Sequence, residues 1–395
     1  MLRYWKLTVL LPLITLVIGS YYATAYGGRP EYILDTIRGN GSEAESLALQ
    51  ASDGGFLLEI SKEGSRFRSI WEYLYGDVYV TDTRLKEKAA EYRDFMRGVT
   101  HLNGIVEDDS RLVRAELKSE RVRTLGEETK KYRFQISLLD KSTGNQSTWE
   151  IPIVNEEVFP SIDLHNVLLQ GQTLNLFTYK SKMVDNVDIS EFHRYTVDLN
   201  TKQLIEDRTI LSRENSAGIY LINEQDPTQA NRYAVFHKIY ASKNAATLAN
   251  EIQYHELFIF DNQTGILEKV QSGPLDELLK SKAEVGMSYN AEEIYLTSWA
   301  NPKEPRVMRY NIKKTKVTHD HRISMDGAPL RADVSYGQIS HNRIYLLLNP
   351  NMFEDVPPGV VIADLESGKV MYEGVVARTD SGRLERFSIR DMKVQ

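Results

Sequence analysis

The side chains that come nearest to metal chemistry are His319 and His321, separated by Asp320. In a strand, residues two apart share a face, so both imidazoles can point at one ion. No third ligand is evident from the sequence, and two protein ligands rarely hold zinc. A solvated outer strand within the charged stretch 313–322 is the plainer reading. The acidic runs Glu107-Asp108-Asp109 and Asp185-Asn186-Val187-Asp188 offer oxygen ligands for calcium. Neither has the twelve-residue loop pattern, so both read as solvated loops. Gly-x-Ser-x-Gly, His-Glu-x-x-His and Gly-x-Gly-x-x-Gly do not occur, and no Ser-x-x-Lys stands in a convincing helix. There is no cysteine, which excludes disulfides, thiol nucleophiles, Cys-based zinc sites and a lipid-bearing cysteine anchor. Trp299 and Phe353 follow aromatic strands at equivalent places in two repeats. As loop-tip aromatics they are candidate ligand- or partner-binding residues, set against simple packing at a rim.

None of these residues acts without a scaffold, and the scaffold begins with a membrane signal. Arg3 and Lys6 precede an uncharged stretch from Leu7 to Gly28, with Leu7 to Ile18 as its apolar heart. Read as helix, the stretch spans ~33 Å, the thickness of a hydrocarbon core. Tyr21, Tyr22 and Tyr26 supply an interfacial belt, and the basic end sets the remainder of the chain outside the cytoplasm. Ala23-Thr24-Ala25 also has the form of a cleavage site, so secretion after cutting near Ala25 is the alternative to a single-pass anchor held by residues such as Leu7 and Ile18.

Residues 29–99 read as a polar tether, a strand pair near 46–60 and an amphipathic helix. In the helix, Leu85, Ala89, Tyr92 and Met96 share one face and Gly98 stops it. From about residue 100 the pattern is strand after strand, interrupted by a short helix over 274–283. Twenty-two Tyr against four Trp suit such strands. Five polar turns recur at intervals of 50 to 63 residues, beginning at Asp140, Asp198, Asp261, Asn311 and Asp364. Each turn is headed by Asp or Asn, whose side chain caps it, and Gly, Asn or Lys is placed to take positive φ. A repeat of that size holds about four short strands, the content of one propeller blade.

These turns resemble the Asp-x-x-Thr-Gly hairpins of degenerate WD40-like and quinoprotein-like propellers, over roughly residues 100–377. The whole layout is similar to uncharacterised membrane-anchored extracytoplasmic proteins of Gram-positive bacteria. Neither resemblance supplies a catalytic residue or a cofactor. The Gly-His and Trp-Asp signature of WD40 repeats and the Trp-docking motifs of quinoproteins are absent.

The expected fold is therefore all-β: a propeller of about six four-stranded blades, with five or seven as alternatives. A terminal signal helix (1–28) precedes it, and one amphipathic helix is inserted. The propeller domain covers 100–395, and the strand at 384–394 closes it with the strands near 46–60. A net charge of −7 argues against a nucleic-acid partner. The expected function is a non-catalytic extracytoplasmic binding or scaffold protein. It would be held to the membrane by its first helix and engage an unknown protein or cell-wall ligand, with no cofactor. A propeller enzyme (lyase or hydrolase) acting on cell-wall or extracellular glycans, and a sensor regulating a membrane partner, are the alternatives.

Overall fold

Strands dominate the chain because its apolar residues alternate or run in short β-branched and aromatic blocks bounded by turn residues. The computed structural model describes residues 10, 12–20, 30–54, 56–68, 83–99, 102–124, 127–154, 159–184, 187–213, 218–222, 232–243, 250–281, 285–290, 292–298, 301, 304–325, 334–348, 357–380, 382, 384 and 387–394. Residues 12–20 are helical. No helix among the described residues is long and apolar enough to cross a membrane.

The first strand, β1 (Tyr32–Gly39), lies where the sequence reading placed a polar tether. Tyr32 and Leu34 alternate inward and are buried, which a polar flank on either side concealed. Next come β2 (Leu47–Asp53), β3 (Phe56–Ser61) and β4 (Gly64–Phe67). Sheet 2 is β5 (Ile105–Glu107), β6 (Arg111–Thr124), β7 (Glu127–Asp140) and β8 (Gln146–Pro152). Sheet 3 is β9 (Ser161–Gln170), β10 (Thr173–Val184), β11 (Val187–Asp198) and β12 (Gln203–Ser212). Sheet 4 is β13 (Gly218–Leu221), β14 (Tyr233–Lys243), β15 (Asn250–Asp261) and β16 (Ile266–Lys269). Sheet 5 is β17 (Val285–Tyr289), β18 (Glu293–Ser298), β19 (Arg306–Asn311) and β20 (Lys316–Arg322). Sheet 6 is β21 (Val334–Ser340), β22 (Arg343–Leu348), β23 (Gly359–Asp364) and β24 (Val370–Arg378), with β1 added at its edge as a fifth strand. The last strand, β25 (Phe387–Val394), had no sequence partner after the fifth hairpin. It pairs with β2 and completes sheet 1 in the order β25-β2-β3-β4. Among the described residues every sheet is antiparallel; sheets 2 to 5 are meanders of consecutive strands, sheets 1 and 6 each add a strand distant in sequence, and the fold is propeller-like.

The chain divides into two units. One comprises residues 1–68, 326–364 and 369–395, and so holds sheets 1 and 6. Its core joins Tyr32 and Leu34 to Leu49, Ile60, Tyr345, Ile362, Tyr372 and Ile389. The other comprises 69–325 and 365–368, and holds sheets 2 to 5. There the inward faces pack in succession: sheet 2 on sheet 3 through Phe134, Ile136, Leu174 and Tyr195; sheet 3 on sheet 4 through Phe177, Phe192, Phe236 and Phe260; sheet 4 on sheet 5 through Leu257, Leu296 and Met308. The helix Gly273–Leu279 adds Leu275, Leu278 and Leu279 to the third of these cores. The helix Thr83–Glu91 docks Leu85 with Phe95, Met96 and Leu102 on sheet 2, and the following turn ends at Gly98 with φ +78°.

The five recurring turns join the third and fourth strands of sheets 2 to 6. In the first, Asp140 Oδ1 accepts from the amides of Ser142 and Thr143 at 2.9 Å each. Asp198 does the same for Asn200 and Thr201 at 2.8 Å, and Asn311 for Lys314 at 2.8 Å. The fifth residue of every turn takes positive φ: Gly144 at 72°, Lys202 at 58°, Gly265 at 70°, Thr315 at 49° and Gly368 at 68°. Thr315 is the outlier, since a β-branched residue is strained there.

Candidate binding groove between two sheets

Strand lengths within sheet 2 are unequal. β6 and β7 pair along their full 14 residues, from Arg111↔Asp140 to Thr124↔Glu127. The inner strand β5 covers only Leu112 to Arg114 of β6, and the contact ends where the Ala115 amide donates to Gly104 O at 2.7 Å. Gly104 permits that approach, because a Cβ there would sit 2.3 Å from Ala115 O. Beyond Ala115 the inner edge of β6 has no strand partner among the described residues.

A groove of about 460 Å³ follows this edge. Its walls are the β6 segment Arg114 to Ser119, the end of β5 at Gly104 and Ile105, the start of β9 at Ile162 to Leu164, and Tyr132. Arg114 anchors one wall, donating to Phe95 O at 3.2 Å and Arg97 O at 3.1 Å, the carbonyls that follow the helix Thr83–Glu91. Glu116 pairs with both Arg114 and Lys118. Burial lowers the affinity of Arg114 for its proton. Tyr132 donates to Pro160 O at 2.6 Å, and burial raises its pKa.

The same face of sheet 3 carries a polar cluster. His193 lies between two carboxylates, with Nδ1 2.9 Å from Asp207 and Nε2 2.9 Å from Glu191, and Thr209 Oγ1 is 3.2 Å from Nε2. Lys180 is 3% exposed and lies 5.0 Å from the centre of the Tyr195 ring and 4.0 Å from Asp207. No sequence motif marks these residues. A lysine on the inward face of a strand, two residues from the inward Thr178, was the available signal.

Sheet 4 buries a second unforeseen pair. His237 and His255, 7% and 3% exposed, approach to 2.8 Å between ring nitrogens. Burial, with His255 close by, drives the His237 pKa down to about 3.

His319 and His321 do share a face of β20, with ring centres 5.9 Å apart. Arg309 Nε donates to His319 Nδ1 at 2.8 Å, so a guanidinium occupies one ligand nitrogen. Burial, and then Arg309, lower the His319 pKa. Among the described residues no group of three His, Cys, Asp or Glu converges on a metal position. The acidic run at 107–109 is met by protein cations: Lys88 and Lys141 on Glu107, Arg111 on Asp108. Trp299, Phe353 and Leu7 lie outside the described residues. Ile18 is helical and half exposed.

No family model matches the chain, and no curated protein matches it. Among solved structures it is similar to the β-propeller domain of the Trilobed protease from Pyrococcus furiosus, at 12% identity over 53% of this chain and 57% of that chain, TM-score 0.31. It is also similar to an uncharacterized protein from Listeria monocytogenes, at 8% identity over 69% and 64%, TM-score 0.32. A third similarity is to cobalt-substituted Synechocystis ACO, at 9% identity over 91% and 96%, TM-score 0.41. The chain spans 57% and 64% of the length of the first two.

Proposed function

We propose that this chain is a membrane-tethered, extracytoplasmic binding or scaffold protein, whose propeller-like sheets present a binding surface to a partner. The observation that carries the tether is apolar exposure at the N-terminal helix. Leu13, Leu16 and Val17 are 56%, 68% and 57% exposed, with Leu10, Ile14 and Ile18 beside them. A globular core would cover such a helix, and at ~25 cal/mol per Å² its exposure to water is costly. A bilayer removes that cost. Arg3 and Lys6 keep the basic end inside, so the sheets lie outside. The groove along β6 supports the binding role.

Flotation of the full chain with phosphatidylcholine vesicles tests the tether. The chain is expected to rise with the vesicles, and a chain carrying Leu13→Asp and Val17→Asp to stay at the bottom with unchanged circular dichroism. Equal flotation of both, or of neither, overturns the reading.

A further inference from the structure

We infer that His193 is a two-position proton switch in sheet 3, which holds the Glu191 carboxylate when protonated and gives it up to solvent when neutral. The inference goes beyond the tethered-binder reading and does not depend on the bilayer.

Donor valence carries the first position. His193 Nδ1 is 2.9 Å from Asp207 Oδ1, and Nε2 is 2.9 Å from Glu191 Oε2. Ionised carboxylates only accept, and a neutral imidazole has a single N–H. The neutral ring therefore sets a lone pair against one of the two carboxylates. Imidazolium, with an N–H on each side, donates to both.

The second position is already built. Thr209 pairs with His193 across β11 and β12, and its Oγ1 lies 3.2 Å from Nε2. A hydroxyl donates as well as accepts. When the proton leaves Nε2, Thr209 donates to the bared nitrogen, Nδ1–H stays on Asp207, and Glu191 loses its donor. Asp207 and Thr209 both belong to β12, so the ring keeps its hold on that strand in either state. Lys180 stands 4.0 Å from Asp207. Among the described residues the Glu191 side chain pairs with His193 alone, and it is 24% exposed, so it is the carboxylate that departs.

The backbone aims these groups. Register shifts fall at Phe192/His193 between β11 and β12, and at Phe177/Thr178 between β9 and β10, with Thr178 opposite His193. Bulges of this kind re-aim side chains beside functional positions. Of the other groups around the ring, β10 brings Lys182, which lies over the Phe159 ring at 4.8 Å. Phe159 itself is 6.3 Å from the imidazole, and Tyr195 of β11 stacks at 6.2 Å. Sheet 2 adds Phe134 against Tyr195, and Tyr132, whose hydroxyl is engaged by Pro160 O. On β9 the residues opposite Thr178 and Lys180 are Leu164 and Ile162, both apolar. Rising pH thus adds one negative charge to this face of sheet 3 and frees one carboxylate for a cationic group.

The test uses the full chain in detergent micelles and hydrogen–deuterium exchange at histidine C2, read peptide by peptide by mass spectrometry from acid to alkaline pH. The exchange rate breaks where a ring loses its proton. Glu191→Gln keeps the shape and removes the charge, and should move the His193 break down by about half a pH unit or more. Thr209→Val removes the donor to the neutral ring and should move the break up by about 0.3. Thr209→Ser restores the hydroxyl and should return it to the parent position, and the His165 break should stay in place throughout. A contact that merely supports the fold would not shift the break in opposite directions. An unmoved or raised break in Glu191→Gln overturns the proposal, as does an unmoved or lowered one in Thr209→Val. Glu191→Gln decides the matter alone where Thr209→Val fails to fold. Flotation plays no part in the measurement, so this reading and the tether can fail separately.

Discussion

His237 shows how one buried side chain sets a pH limit. Its folded pKa of about 3 lies below the unfolded value of 6.5, so the unfolded chain binds the proton first as pH falls. Stability from this site is complete above pH ~6.5 and is lost between there and pH 3, at up to ~1.4 kcal/mol per pH unit. Urea midpoints at pH 7, 5 and 4 should therefore fall steeply, and the chain carrying His237→Phe should show a shallower fall. Thr315 makes an opposite prediction. At φ 49° its branched side chain is strained, so Thr315→Gly should raise stability by about 1 kcal/mol despite glycine's looser unfolded state. Gly144→Ala, at φ 72° in the equivalent turn, should lower it by a similar amount. Thermal denaturation of the three chains measures both. The turns were legible because an Asp or Asn and the residue four places on are local signals. The His237–His255 contact was not, since it joins positions 18 residues apart across a strand register.

At the scale of elements, Glu107 ties a helix to a hairpin. Burial alone would raise its pKa, but Lys141 and Lys88 outweigh it and the carboxyl is held below its usual range. The folded pKa is depressed, so the contribution is present above the unfolded value and fades as pH falls through the folded one. Glu107→Gln leaves Lys88 and Lys141 short of a countercharge. It should speed amide exchange through Thr83–Glu91 about tenfold, read by hydrogen–deuterium exchange, with little change in sheet 4. Strand ends were harder to foresee than strand centres. The alternation that marks Leu112–Leu117 and Tyr132–Leu139 comes from faces buried against sheet 3. Past Lys118 and before Tyr132 that alternation gives way to charge, yet β6 and β7 continue as a paired ribbon. The groove was invisible for the same reason: it arises from a short β5 beside a long β6, a difference carried by pairing and not by side-chain type.

Over the whole molecule, the sequence pointed to blade-like sheets because five turns punctuate it at similar intervals. Sheets 2 to 6 each contain one of those turns. Sheet 1 lacks it, being assembled from β2, β3, β4 and the distant β25. β1 was hidden likewise, since its partner β24 lies more than 300 residues away. Ending the chain after residue 386 should expose the edge of β2 and uncover Leu49 and Ile60. That protein should lose several kcal/mol of stability and form large species in size-exclusion chromatography, with the turn-bearing sheets 2 to 5 still protected from exchange.

Leu47 pairs with Val394 and Tyr32 with Arg378, so sheets 1 and 6 are each stitched from segments more than 300 residues apart. Closing such long loops costs entropy before any contact rewards it, so these two seams should form late in refolding, after the local hairpins of sheets 2 to 5. Until β25 docks, β2 offers one open edge, and that interval is when the refolding chain is most prone to self-association.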